Sequence, residues 1–416
     1  MQKVQDLELK GRNIAIIHPD LGIGGAEQLI INIGLSLQEN GANVTVYTPR
    51  YDPERCFEDS KLLNVEVRGS YFPRSIFGKF YAMWAYIRMM LWAIYVAFFA
   101  RRYDCIILDQ VSFPIPLLRL TNRNVIFYCH HPDKLLCTER SSFFKKVYRY
   151  FLDTIEEKTT GMARRVLVNS EYTKQVYFEA FPSLVQEPDI LYPCIKEDAF
   201  ELPEGYDDKK VIHNLLGVAE DKPLPHLITS LNRYERKKNI GLAIRSFREF
   251  LDSKEINSQE YILVIAGGYD DAVIENVEHY EELQALAEGL NNVIFLRSIS
   301  NEERLTLLKY TDVLTYTPEN EHFGIVPIEA MYMGCIVLAC NSGGPTESIV
   351  HEKTGYLLDA DDVSQWADKM SNLYKGINSG SNSNVLDEIK ANGKQRVEDK
   401  FSFRAFGEQM CSFLDF

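Results

Sequence analysis

The chain has 416 residues, of which 46% are hydrophobic and 25% charged. This composition is typical of globular proteins and excludes a largely disordered or fibrous chain, and the length predicts two domains or three. Lys and Arg total 45 against 59 Asp and Glu, a net charge of -14, which argues against binding to duplex nucleic acid, whose phosphates require many cations. The polar first twelve residues predict no cleaved secretory signal.

The N-terminal residues predict a strand, a loop, a helix and a second strand. Residues 13–17 are a short apolar run, residues 26–38 carry apolar side chains at helical spacing, and residues 43–48 alternate like a strand. A strand–helix–strand unit of this kind indicates a parallel sheet. Further buried strands are predicted at residues 105–108, 125–128 and 166–169.

The loop before the first helix is rich in glycine, with Gly22, Gly24 and Gly25 in close succession. Such a turn can present backbone N–H groups to an anion; the alternative is a tight turn that binds nothing. The pattern of a nicotinamide dinucleotide site would need glycine where Glu27 stands, so that cofactor is not favoured.

Residues 81–100 interrupt the alternation of strands and helices, because they are apolar except for Arg88 and include seven aromatic residues. Their length matches a bilayer-spanning helix, but an arginine costs roughly 2.5–3.5 kcal/mol at the bilayer centre. A span would also place strands 13–17 and 105–108 on opposite sides of the membrane. Cations on both sides favour a helix in the membrane interface, with Arg88 reaching the headgroups; a buried helix and a true span are the alternatives.

The same alternation of strands and helices restarts near residue 226. Strands are predicted at residues 226–231, 261–266, 293–297, 313–316 and 336–339, and helices at residues 239–251, 280–290, 302–309, 325–333 and 363–374. Turn residues fill 201–225, which predicts a linker. We therefore predict an α/β protein of two doubly wound, Rossmann-like domains facing a cleft, residues 1–200 and 226–416, with the last helix packing back on the first domain.

Arg233 and Lys238 belong to the charged segment NRYERKKN, which follows the first strand of the second domain. A guanidinium fork and an ammonium group both bind phosphates, and ligands of doubly wound sheets bind where the strands end. We expect this pair to hold a diphosphate; the alternative is a solvated charged face.

Glu321 and Glu329 lie eight residues apart around the start of a predicted helix, with Gly324 at the junction. A nucleotide sugar across that helix terminus would place phosphate at its positive end. Each carboxylate could then accept hydrogen bonds, one from the sugar and one from the ribose. From the spacing alone, two unrelated glutamates are the alternative.

The motifs HPDLGIGGAE, FYCHHPD, NRYERKKN, AGGYD and NSGGPTES, together with the two glutamates, occur here in one order. This set closely resembles the retaining glycosyltransferases of the GT-B fold, of the family 4 type, over about residues 14–403. Within them it is most similar to the mannosyltransferases that extend the dolichol-linked N-glycan precursor. The resemblance implies a GDP-mannose donor, a dolichyl-diphosphate-linked Man-GlcNAc2 acceptor, α-1,3 and α-1,6 linkages, and the cytosolic face of the endoplasmic reticulum membrane.

The resemblance also implies roles for individual residues. Arg233 and Lys238 would grip the diphosphate, Glu321 would contact the transferred mannose, and Glu329 the ribose. His130 would be the active-site histidine, although the family tends to have an aromatic residue where His131 stands, which leaves the choice between the two histidines open. The other donor-binding positions implied are Gly24, Gly25, Phe323 and Gly324.

Similar enzymes retain the anomeric configuration by substitution on the front face of the sugar, where the leaving phosphate helps to deprotonate the acceptor. They need no paired acid and nucleophile carboxylates, unlike hydrolases. We expect no metal and no further cofactor, and we interpret Asp361 or Asp362 as a helix cap. The alternatives to this function are an enzyme using another nucleotide sugar or acceptor, and a non-catalytic interaction protein; other mannosyltransferases of the pathway are candidate partners.

Overall fold

The computed structural model describes residues 9–68, 81–136, 143–253, 257–379 and 383–414. The chain divides into two compact units. The first unit comprises Met1–Cys194 together with Phe403–Phe416, and the second comprises Ile195–Ser402.

Within its described residues, the first unit has a seven-stranded parallel sheet in the order β3-β2-β1-β4-β5-β6-β7. Its strands are β1 Asn13–Ile17, β2 Asn43–Thr48, β3 Asn64–Val67, β4 Cys105–Asp109, β5 Val125–Cys129, β6 Arg165–Val168 and β7 Asp189–Ile190. Its helices up to this point of the chain are α1 Gly25–Glu39, α2 Tyr81–Phe98, α3 Ile115–Thr121, α4 Asp133–Leu136, α5 Phe143–Thr160 and α6 Glu171–Ala180. The predicted strands are confirmed, to within a residue at their ends.

Helices cover both faces of this sheet, which explains why its strands are apolar without alternation. In β1, Ile14 and Ile16 belong to the core shared with α1. Ala15 and Ile17 point the other way, into a core shared with α2 and α3. Successive residues of one strand are thus buried in opposite cores.

Helix α2 packs one side against the sheet. Met89, Trp92 and Val96 are buried there, and the Trp92 ring lies 4.9 Å from that of Tyr47. Arg88 is only 7% exposed, so the expectation that it reaches outward is wrong: it lies on the side of the helix that faces the protein. In the part of the chain that the structure describes, no helix is both long and apolar enough to cross a membrane.

The second unit has, within its described residues, a six-stranded parallel sheet in the order β10-β9-β8-β11-β12-β13. Its strands are β8 His226–Leu231, β9 Tyr261–Gly267, β10 Val293–Arg297, β11 Val313–Tyr316, β12 Ile336–Cys340 and β13 Tyr356–Leu358. Its helices are α7 Asp208–Leu216, α8 Ile240–Leu251, α9 Ile274–Leu286, α10 Asn301–Tyr310, α11 Ile325–Tyr332, α12 Pro345–Ser348, α13 Val363–Ser379 and α14 Ser383–Lys400. Each unit is therefore the doubly wound α/β structure that the sequence predicts.

Helix α7 lies inside residues 201–225, which the sequence presents as a linker. Asp207 caps it by accepting a hydrogen bond from Lys210 N. Gly217 ends it with a left-handed backbone, φ 64°, the conformation that glycine adopts most easily at helix ends. This segment is accordingly structured and belongs to the second unit.

The last helix, α15 Phe403–Ser412, belongs to the first unit although it follows the whole second unit in sequence. It packs against α1. Its Phe406, Met410 and Cys411 are buried in the same core as Ile30 and Ile33 of α1. The core of the first unit is therefore built from both ends of the chain.

Candidate active site

The loop after β8 carries the two predicted phosphate-binding cations. A short 3-10 turn, Arg236–Lys238, leads directly into α8 and brings Lys238 into a largely buried position. Thr317, which follows β11, donates a hydrogen bond to the Lys238 carbonyl at 2.8 Å. Arg233 is exposed instead, and its guanidinium lies 3.0 Å from the Glu235 carboxylate.

Lys238 and Glu321 are in direct contact. The Lys238 ammonium donates to Glu321 Oε1 at 2.5 Å, with the two side chains 11% and 25% exposed. These residues are 83 positions apart, but β8 and β11 are neighbouring strands, and both residues follow the carboxyl end of their strand. The sheet thus brings a cation and a carboxylate together at the edge where doubly wound folds bind ligands.

Two glycines hold the loop that carries Glu321. Gly344 N donates to Glu321 O at 2.7 Å. A Cβ on Gly344 would lie 2.2 Å from Phe323 O, and one on Gly343, whose φ is +62°, would lie 2.4 Å from Glu321 O. Only glycine permits two backbones to approach this closely. The backbone of the NSGG segment after β12 therefore packs directly against the backbone of the Glu321 loop and holds it in place.

Gly324 forms the N-terminus of α11 with a φ of 77°. A Cβ there would lie 3.0 Å from the Tyr316 ring. The Phe323 ring is buried, with its centroid 5.8 Å from that of Phe401. Phe323 is hence a core residue by its side chain, and a ligand contact from this position would have to use its backbone.

Glu329 lies inside α11, where the sequence predicts it. Arg304 of α10 donates to Glu329 Oε2 at 2.7 Å. Burial raises the pKa of the Glu329 carboxyl, and the positive charge of Arg304 opposes that rise. The carboxylate is fixed in one orientation by a partner that the sequence analysis did not identify.

In the first unit, His130 follows β5. Its Nε2 lies 2.7 Å from Oδ1 of Asp109, although the ring N–H does not point directly at the oxygen. The other carboxylate oxygen, Oδ2, lies 2.6 Å from His18 Nδ1. His18 and Asp109 are fully buried.

His18 and Asp109 were not predicted from the sequence. Burial by itself would raise the pKa of Asp109, but the charge of His130 and the contacts with both histidines outweigh it and lower that pKa. For the neighbouring His131, burial lowers the pKa and the charge of Asp133 opposes this. Asp109 could have been predicted from the sequence, because it is a polar residue at the end of an otherwise apolar strand.

Gly24 and Gly25 lie at the start of α1 as expected. Helix α1 begins at Gly25, and Gly24 is extended, with a φ of -176°. A Cβ on Gly25 would meet no atom within 4 Å, whereas one on Gly24 would approach only the flexible end of the Glu27 side chain. This glycine turn is open, and its backbone N–H groups stand at the positive end of a helix.

Asp362 caps α13 by accepting a hydrogen bond from Gln365 N at 3.0 Å. This agrees with the capping interpretation of the Asp359-Ala360-Asp361 region, where Asp359 accepts from Asp361 N. Among the residues that the structure describes, no group of three or more His, Cys, Asp or Glu side chains could hold a metal ion.

Comparison with known proteins places these elements in a family. Residues 216–396 match the family described as Glycosyl transferases group 1, and residues 23–195 match Glycosyltransferase Family 4. The chain is 45% identical to the alpha-1,3/1,6-mannosyltransferase ALG2 of Dictyostelium discoideum, over 97% of this chain and 98% of that protein. It is 42% identical to the protein of that name from Homo sapiens, over 97% and 95% respectively.

Solved structures share the fold at much lower identity. Sucrose-phosphate synthase from Thermosynechococcus elongatus is 20% identical with a TM-score of 0.69, covering 96% of this chain and 97% of its own. HepE of Anabaena, in complex with UDP and glucose, is 17% identical with a TM-score of 0.67, covering 96% and 98%. The fold is GT-B, and the chain belongs to the alpha-1,3/1,6-mannosyltransferase family of glycosyltransferases.

Proposed function

We propose that this chain transfers mannose from GDP-mannose to dolichyl-diphosphate-linked Man-GlcNAc2, making α-1,3 and α-1,6 linkages in the assembly of the N-glycan precursor. Family membership over nearly the whole chain supports this reaction. The observation in the structure that carries it is the contact between Lys238 and Glu321 at the carboxyl edge of the second sheet. Lys238 and Glu321 therefore lie side by side, as a cation for the leaving diphosphate and a carboxylate for the sugar would need to, and this supports the proposal.

Lys238 and Arg233 would bind the diphosphate and stabilise the charge that develops on it as the sugar departs. Lys238 is held by its partly buried partner, whereas Arg233 is on the surface beside the Glu235 carboxylate. Glu321 would then accept hydrogen bonds from mannose hydroxyls, and Glu329 from ribose hydroxyls. Catalysis would rest on positioning and on charge stabilisation.

In the first unit, His130 would line the sugar pocket, and the N–H groups at Gly24 and Gly25 would face the donor phosphate. The retained configuration follows if the departing phosphate accepts the proton of the acceptor hydroxyl on the same face. Because two cationic side chains would bind the diphosphate, we propose that the reaction needs no divalent metal. Transfer that persists in excess EDTA would agree with this, and transfer restored only by added Mg²⁺ or Mn²⁺ would contradict it.

We also propose that the first unit binds the cytosolic surface of the endoplasmic reticulum membrane through α2. Leu91, Ile94 and Phe98, with Phe99 just beyond the helix, are exposed, which supplies an apolar surface on the side opposite the buried Trp92. Other mannosyltransferases of the pathway are further candidate partners at this membrane.

The membrane proposal is tested by replacing Phe98 and Phe99 with Ser. We expect this variant to float less with anionic liposomes while keeping transfer to a short-chain, water-soluble acceptor. Trp92→Ser is unsuitable as a probe, because Trp92 is a core residue and its loss would unfold the unit. Unchanged flotation of the Phe98→Ser/Phe99→Ser variant would contradict the assignment of α2.

The reaction itself is tested with the purified full chain, radiolabelled GDP-mannose and a lipid-linked Man-GlcNAc2 acceptor. We expect two successive mannose additions, whose linkages are identified by linkage-specific α-mannosidases, and a heat-denatured sample serves as the inactive control. UDP-glucose, UDP-GlcNAc and GDP-glucose are supplied in parallel. Transfer from one of these but not from GDP-mannose would identify a diverged enzyme, and no transfer from any would indicate a non-catalytic protein.

A further inference from the structure

Three polar side chains meet in the first unit where neighbouring parallel strands end. Asp109 is the last residue of β4, and His18 and His130 directly follow β1 and β5. Because β4 lies between β1 and β5 in the sheet, the carboxylate of Asp109 stands between the two imidazoles. The order of the strands in the sheet therefore sets the order of these three side chains.

The contacts of His18 define its protonation. Its Nδ1 lies 2.6 Å from Asp109 Oδ2 and its Nε2 lies 3.0 Å from the carbonyl oxygen of Asp20. A carboxylate and a carbonyl only accept hydrogen bonds, whereas a neutral imidazole has a single N–H. With Asp109 ionised, as its lowered pKa indicates, both ring nitrogens donate, so His18 is an imidazolium and forms a buried ion pair with Asp109.

The surroundings of His18 agree with this protonation. Burial by itself would lower the pKa of His18, but the hydrogen bond and the charge of Asp109 and the charge of Glu27 outweigh it and raise that pKa. No part of either the His18 or the Asp109 side chain reaches solvent. The pair is therefore not available to a substrate.

His130 is the member of this group that reaches the surface, with 18% of its side chain exposed. The Asp109 carboxylate favours a proton on Nε2, the ring nitrogen 2.7 Å away, which leaves Nδ1 as the ring atom that can meet a ligand. The Tyr128 ring packs against the imidazole with a centroid separation of 4.6 Å. The ring is thus held both by a charge and by packing.

We propose that Asp109 is a positioning residue for His130 and that the His18 imidazolium neutralises Asp109 and holds it in place. This rests on the proposed function, in which His130 contacts the transferred sugar. The carboxylate would set the tautomer and the ring orientation of His130 before the donor arrives. If Asp109 only linked the ends of neighbouring strands, its replacement would lower stability but would not change catalysis through His130.

The protonation is tested by NMR of the full chain labelled with ¹⁵N-histidine, with signals assigned from His18→Gln and His130→Gln. In a pH titration, we expect His18 to keep protons on both ring nitrogens to a higher pH than an ordinary histidine does, and the neutral form of His130 to be the Nε2–H tautomer. In Asp109→Asn, both signatures should be lost. A His18 that loses its proton no later than an ordinary histidine, or a His130 signal that Asp109→Asn leaves unchanged, would overturn the proposal.

The positioning role is tested by mannosyl transfer with Asp109→Asn, His130→Ala and the double variant. Asp109→Asn should lower kcat on the order of 10- to 100-fold, the effect of a slightly misplaced group. In the His130→Ala variant, adding Asp109→Asn should cause no further loss of kcat. Additive losses, or a normal kcat in Asp109→Asn, would refute the role. Should Asp109→Asn not fold, His18→Gln replaces it with the same expected dependence on His130.

A matched control is available in the second unit, where His226 Nδ1 lies 3.0 Å from Asp312 Oδ2. Asp312→Asn removes the same kind of contact and should lower stability while leaving kcat unchanged. If the unsubstituted chain transferred no mannose, the proposed function would fail. The NMR experiment needs no substrate, so it would still decide whether Asp109 orients His130.

Discussion

Gly344→Ala tests whether the close packing of the NSGG segment against the Glu321 loop controls catalysis. The new Cβ would lie 2.2 Å from Phe323 O, 2.3 Å from its Cα and 2.5 Å from its carbonyl carbon. These are backbone atoms, so no side-chain rotation relieves the overlap. Ordinary contact begins near 3.4 Å, and the two backbones must therefore separate by about 1.2 Å.

This displacement is enough to break the hydrogen bond from Gly344 N to Glu321 O, now 2.7 Å long. It would also move the Glu321 carboxylate relative to Lys238. A shift of about 1 Å in a positioned group costs on the order of 100-fold in rate, and overpacking a tight contact costs about 1–3 kcal/mol of stability. We expect kcat for mannosyl transfer to fall accordingly, while the variant stays folded.

The assay compares kcat and KM for GDP-mannose with thermal unfolding of the same preparations. Gly393→Ala in α14 is the control, because its Cβ would meet its nearest neighbour, Thr354 O, at 3.3 Å and so demands almost no movement. The reasoning would be refuted if Gly344→Ala retained kcat within about twofold of the unsubstituted enzyme, or if Gly393→Ala lost as much.

Four further substitutions test the remaining roles. Lys238→Ala should cut transfer by on the order of 100-fold or more at saturating GDP-mannose, and near-normal turnover would exclude it as a leaving-group cation. Glu321→Gln should lower kcat more than GDP binding measured by calorimetry, whereas Glu329→Gln should weaken GDP binding; equal GDP affinity in both would refute the ribose assignment. Asp109→Asn should reduce the unfolding free energy most between the ordinary pKa values of 3.8 and 6.5. The loss shrinks at lower pH as Asp109 is protonated and at higher pH as His18 is deprotonated; a pH-independent loss of stability would contradict the ion pair.

Much of the fold could be predicted from the sequence because parallel strands covered on both faces are continuous apolar runs. β5, whose residues are all buried, is typical. The missed elements carry weaker signals. α14 is mostly polar and buries few apolar residues, among them Leu386, Ile389 and Val397, while β7 has two residues.

The site was predictable in part. Lys238 was selected because it follows a predicted strand, and Glu321 because it lies before a predicted helix start. Nothing in the sequence states that β8 and β11 are neighbours, so the contact between these two residues could not be derived. Arg304, the partner of Glu329, is one cation among many on a polar helix. The position of Arg88 was predicted wrongly because only the composition of the helix was considered. The direction of each side chain is set by how the helix packs against the sheet.

The return of α15 to the first unit has a consequence for synthesis on the ribosome. A nascent chain emerges from its N-terminus and domains usually fold in that order, but here Phe406, Met410 and Cys411 complete the core that α1 begins. The first unit cannot close until the final segment is released, long after its own strands have been made. Until then, the part of α1 that contacts α15 is uncovered, although its other apolar residues pack against the sheet. A stop codon before residue 403 would accordingly leave this core incomplete even though every strand of the sheet had been made.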